Sequence, residues 1–171
     1  MGLVAMAVLL ILIISIGETS AQEVRSGWKE VDSGTQADLL TAEVYDGEIW
    51  AFGTSGNIVR SNDSGVSWSE SVSVSSHDLT ASDSNFGAMV VAGNDGTIFL
   101  FNNGDTTDLS SDIGDVVDIS LTGQGSFIAI SGNTIWRYDS SPLNGAEWEN
   151  VWENTEGALH SVSFLDSENG L

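Results

Sequence analysis

The chain repeats itself with a period close to 40 residues, and a repeat of that length limits the folds open to it more than any other feature. The apolar residues Leu39, Leu79, Val116 and Leu159 follow one another at intervals of 40, 37 and 43 positions. Ile58, Ile98 and Ile135 each lie 19 residues after the first three of these, and Gly56, Gly96 and Asn133 each lie 17 after. Trp28, Trp68 and Trp148 stand 11 residues before Leu39, Leu79 and Leu159. Asp108, forty residues after Trp68, holds the corresponding place in the intervening unit.

Within each unit the pattern has period two, as in Leu40, Ala42 and Val44 or Val117, Ile119 and Leu121, which predicts strands with one face turned to a core. A second strand is expected through 48–52, 88–92 and 127–130, then a tight turn at Gly56, Gly96 and Asn133, all of types that tolerate positive φ. A third strand follows through Ile58, Ile98 or Ile135. A fourth follows the tryptophans, as in 28–31 and 148–151. Outside the N-terminal segment no stretch carries the 3.6-residue pattern of an amphipathic helix. Four short antiparallel strands in about 40 residues is the blade of a β-propeller, an all-β fold in which blades stack because none can bury both faces alone. Three phrases after Trp28 and an unfinished fourth fall short of the roughly 4 to 8 blades of a closed ring. Residues 22–171 therefore read as an incomplete propeller, an N-terminal fragment of about three blades plus partial ones, with repeats starting near 39, 79, 116 and 159.

Four Lys+Arg against 25 Asp+Glu leave a net charge of −21, which excludes a nucleic-acid partner bound through a basic face. The absence of cysteine removes disulfides, thiolate metal sites and Cys nucleophiles, and two histidines, His77 and His160, are too few for a histidine-rich metal centre. The carboxylates do not follow calcium-loop spacing, so neither a metal nor a cofactor is expected. The uninterrupted apolar run Leu3–Ile14, extended to Ile16 and followed by Thr19-Ser20-Ala21, reads as a secretory signal peptide over 1–21. An uncleaved anchor at 3–16, and with it the one route to a membrane, is the alternative, because no Lys or Arg precedes the run. Either way the rest of the chain is expected outside the cytoplasm.

Ser61-Asn62-Asp63-Ser64-Gly65-Val66-Ser67-Trp68 resembles the Asp-box, or BNR repeat, at all four of its defined positions, Ser61, Asp63, Gly65 and Trp68. Here Asp63 is expected to accept turn N–H groups, Gly65 to take positive φ, and Trp68 to cover the hairpin. The aligned stretch 101–108 keeps turn residues and loses the Trp, and a degenerate box survives at Gly145 and Trp148. The closing phrase 159–170 and Gly56–Ser61 are similar to blades of the photosystem II assembly factor-like propellers. Resemblance over 28–171 implies a propeller and no particular partner, since fold does not set function.

Asp-boxes also occur in sialidases, a likeness that would imply three arginines gripping a carboxylate, a Tyr–Glu nucleophile pair and an Asp acid. Arg25, Arg60, Arg137, Tyr45 and Tyr138 are the residues present, but Arg60 and Arg137 both fall two positions after the repeat Ile, so repeat symmetry explains them first. With 25 acids a glycosidase pair is uninformative, and no serine stands in a Gly-x-Ser-x-Gly elbow. His77 is expected to be exposed, and His160, sharing parity with Val162 and Phe164, to face inward. Gly93–Gly96 reads as a hairpin turn. The expectation is a non-catalytic extracytoplasmic propeller that binds or scaffolds a protein or carbohydrate partner. The alternative is the N-terminal portion of a sialidase-like glycoside hydrolase, which further arginines, a Tyr–Glu pair and the blade count in downstream sequence would discriminate.

Overall fold

A computed structural model describes residues 30–140 and 147–165. The segment 1–21 expected to be a signal peptide, Arg25, Trp28 and Gly145 lie outside the described residues. Strands β1 (Leu39–Tyr45), β2 (Glu48–Gly53), β3 (Asn57–Ser61) and β4 (Val72–Ser73) form one antiparallel sheet in the order of the chain. A second sheet follows from β5 (Leu79–Asn85), β6 (Ala88–Gly93), β7 (Ile98–Asn102) and β8 (Asp105–Asp108). The third comprises β9 (Val116–Gly123), β10 (Ser126–Ser131), β11 (Thr134–Asp139) and β12 (Glu147–Glu153). Among the described residues the protein is thus all-β, with three four-stranded meanders, and the helical content is two 3₁₀ turns at Thr54–Gly56 and Asn94–Gly96.

The 40-residue period maps onto these sheets rung by rung. Leu39 pairs with Gly53, Leu79 with Gly93 and Val116 with Ser131, while Ile58, Ile98 and Ile135 pair with Phe52, Ala92 and Ile130. The constant spacing of 19 hides two opposite changes in the third sheet. There β9 is one residue longer than β1 and β5, with register shifts against β10, and the next hairpin is one residue shorter. In that shorter turn Gly132 takes the positive φ of 60°, and Asn133 does not, contrary to the expectation from its offset. A two-residue loop between the paired Ser131 and Thr134 needs the left-handed residue at its first position.

The sheets pack face against face, with β1, β5 and β9 side by side. The continuous apolar run of β6 is buried throughout, as a strand covered on both faces must be. Its Met89 and Val91 join Phe52 and Ile58 of the first sheet, and its Val90 joins Val116, Leu121 and Phe127 of the third. The expectation that Leu40, Ala42 and Val44 face a core is corrected: all three are exposed, Val44 at 64%. Period two states which residues share a face and not whether another sheet covers it, and no described sheet packs on this face of β1. Glu30 and Val31, expected in a fourth strand, are not in one either.

At the opposite end, residues 159–165 were expected to open a further blade. They run along β9 with a single bridge at Phe164, and side chains of β9 rather than a strand ladder take the N–H groups of Val162 and Phe164. Val162 N donates to Asp118 Oδ2 at 2.7 Å and Phe164 N to Ser120 Oγ at 3.0 Å.

The turns between second and third strands sit tightly against the segment leading to the next sheet. Gly56 and Gly96 have φ of 66° and 65°, and a Cβ on Gly96 would meet the carbonyl oxygen of Ser111, whereas Gly47, at φ 78°, faces open space. Gly47→Ala is expected to cost only the left-handed penalty of about 1–2 kcal/mol. Gly96→Ala adds a backbone clash and should cost clearly more, a ranking that urea denaturation of the two variants checks.

Candidate functional site

The Ser61–Trp68 segment closes the connection from β3 to β4 and is satisfied almost wholly by its own atoms. Asp63 Oδ1 accepts N–H from Val66 at 3.0 Å and Ser67 at 2.9 Å, and also the Ser61 hydroxyl at 2.8 Å. Its Oδ2 accepts the Ser67 hydroxyl, and Ser61 Oγ in turn accepts Gly65 N–H at 2.8 Å. Ser64 and Gly65 carry positive φ of 63° and 84°. The Ser67 hydroxyl, followed by the Ser67 N–H and the Ser61 hydroxyl, holds the Asp63 carboxyl down to about 2. Trp68 is half-buried beside Arg60, Glu48 and Asn62.

In the first and third sheets the arginines are held within their own sheet. Arg60 stacks 4.8 Å from the Trp50 ring centroid and lies 3.7 Å from Glu48. Arg137, on the corresponding rung of the third sheet, pairs with Glu149 across β11 and β12. Trp148 on β12 packs on Phe127 and Tyr138, with centroids 5.5 and 5.2 Å away, and burial pushes the Tyr138 phenol up. The two arginines therefore lie on the first and third sheets, each closed by its own carboxylate, and Tyr138 is inside a core cluster. At the place of the lost tryptophan, Asp108 accepts the N–H of Ser110 at 2.9 Å, and its hydrogen bonds to Ser110 lower its pKa.

The histidines differ from their expected places. His77 is only half-exposed, its Nδ1 3.0 Å from the buried Thr97 hydroxyl and its Nε2 3.7 Å from Asp95. His160 is exposed rather than inward-facing, because its segment does not continue the strand pairing that strand parity presumes.

Sequence reading passed over the groups that join one sheet to the next. Asp83 Oδ2 accepts Leu121 N–H at 2.7 Å and the Ser120 hydroxyl at 3.1 Å, and Glu43, on the same rung of β1, accepts the Ser84 hydroxyl at 2.9 Å. Burial raises the Glu43 pKa, the Ser84 hydrogen bond opposes that rise, and nearby Asp83 adds to it. Asp78 and Asp115 accept the N–H groups of Ser55 and Asp95 in the preceding sheet, at 2.9 and 2.8 Å. Their signal was present, since an Asp immediately precedes Leu39, Leu79 and Val116 alike.

Between the ends of the first two sheets lies an open cleft of about 410 Å³. The β1–β2 and β5–β6 hairpins and the β7–β8 turn line it with Tyr45, Asp46, Ser84, Asn85 and Asn103. Among the described residues no three His, Cys, Asp or Glu side chains converge to hold a metal ion, and no helix is long and apolar enough to cross a membrane. No protein-family model and no curated protein matches the chain.

The Asp63 carboxylate is stabilised in the folded state, so its contribution is complete above the ordinary carboxyl range near 4 and fades as pH falls toward about 2. Asp63→Asn is expected to lower the urea midpoint at neutral pH, with the gap to wild type closing across that acid window. A gap independent of pH would show that the carboxylate charge does not hold the turn.

Proposed function

We propose that the chain is a non-catalytic extracytoplasmic binding module built as an Asp-box β-propeller of the kind shared by photosystem II assembly factor-like and sialidase-like proteins. The observation that carries this reading is the repetition of four-stranded meanders whose first strands lie side by side, each tied to the next at the same rungs. Radial stacking of blades with first strands innermost is the arrangement that such repetition serves. The leader-like run Leu3–Ile14 supports a site of action outside the cytoplasm, with residues 3–16 as the anchor if it is not cleaved.

The chemically capable groups are spent on folding. Asp63 is consumed by its turn, Arg60 and Arg137 by their own sheets, and Tyr138 by a core cluster. What remains free to meet a partner is the hairpin end of the sheets, where turns present polar side chains around a cleft. The partner is a protein or a carbohydrate. Enzymatic use as a sialidase-like hydrolase would need cations gathered at one point, in a chain of net charge −21.

The full protein is expected to release no fluorophore from a fluorogenic sialoside above the uncatalysed rate. Turnover abolished by Arg60→Ala or Arg137→Ala would replace the binding reading with the hydrolase one. A tagged chain expressed from its own N-terminus should be recovered outside the cytoplasm, and full cytoplasmic retention would remove the localisation.

A further inference from the structure

We propose that Asn62 is an N-glycosylation site, the acceptor for a preassembled oligosaccharide; this rests on the extracytoplasmic part of the reading above, because the sugar donor is met only during export. Asn62-Asp63-Ser64 is the one place in the chain where an Asn is followed, after a residue other than Pro, by Ser or Thr. An oligosaccharyltransferase reads that triplet, the Asn amide as acceptor and the hydroxyl two residues on as the second requirement.

The fold leaves both groups available. Asn62 and Ser64 are exposed in the turn that joins β3 to β4. Among the described residues no hydrogen bond engages either side chain, whereas the Asn57 amide donates to the Thr54 carbonyl and that of Asn133 to the Asn154 carbonyl. Between the two, Asp63 spends both carboxylate oxygens on Ser61, Val66 and Ser67, so it takes nothing from the residues on either side of it. Attachment at Asn62 Nδ2 therefore breaks no hydrogen bond of the fold. Beside Asn62 lies an open pocket of about 260 Å³, lined also by Trp68, Arg60, Glu48 and Ser69. It gives the first sugar an indole to lie against and charged groups for its hydroxyls.

The co-reactant is an oligosaccharide linked to a polyprenyl diphosphate. The Nδ2 lone pair attacks C1 of its reducing-end sugar and the N–C1 bond forms. The C1–O bond to phosphate breaks with its electron pair going to the lipid diphosphate, and the proton lost from Nδ2 ends on that leaving group.

The test is cell-free translation of the full chain with microsomal membranes, which carry both transferase and donor. It is read by protease protection and by a gel shift that an endoglycosidase for N-linked glycans reverses. Wild type should be protected and show the shift of a single glycan. Asn62→Gln and Ser64→Ala should each lose the shift, and Ser64→Thr, which keeps the hydroxyl, should retain it. A wild-type chain that is protected but unshifted would overturn the glycosylation site and spare the extracytoplasmic reading, and so would a shift that survives Asn62→Gln. A chain left open to protease would overturn both.

Discussion

The central sheet is held on both of its faces, and the arrangement of the other two follows from that. Met89 and Val91 of β6 go to the first sheet, Val90 goes to the third, and none of the three retains any exposure. A strand of five apolar residues in succession cannot leave either face in water, since each fully buried Val or Met contributes about 1.5–3 kcal/mol relative to exposure. Two neighbouring sheets are therefore a requirement of β6. Removing either would strand one row of its side chains.

Polar contacts then choose how far one sheet slides along the next. Apolar surfaces would tolerate many offsets, whereas Asp83 must reach both Leu121 N–H and the Ser120 hydroxyl, and Glu43 must reach Ser84. A half-buried carboxylate left without its donors carries a cost, so the offset that satisfies them is preferred. Asp78 and Asp115 do the same at the other end of the strands by taking turn N–H groups of the preceding sheet. In a protein of net charge −21 these acids act as acceptors for neutral donors and so need no basic partners. The arginines at 60 and 137, by contrast, stay within their own sheets.

The Ser61–Trp68 turn and the β5–β6 hairpin show two settings of left-handed backbone in one sheet-building plan. At Ser64 and Gly65 the positive φ lets a single carboxylate collect several donors, and the strain is offset where it arises. At Phe86 a similar φ is carried by a residue whose ring is neither buried nor suited to the turn.

The sequence by itself determined the first three strands of each described sheet and their rungs, because hairpin registers depend on local periodicity and turn length. Leu39, Leu79 and Val116 could be aligned from spacing alone, and the Asp-box hydrogen bonds could be read from a motif that closes within eight residues. Only the tertiary structure decided that Leu79 and Val116 are at most 2% exposed while Leu39 is 37% exposed. The three occupy the same rung, but β5 and β9 each have a preceding sheet packed on them and β1 has no described sheet there. Tertiary packing likewise assigned Glu43 and Asp83 to the joins between sheets, among 25 acids of which most look alike in sequence. Burial and the partners of a carboxylate depend on which surfaces meet across 20 to 40 residues of chain, and neither periodicity nor composition carries that information.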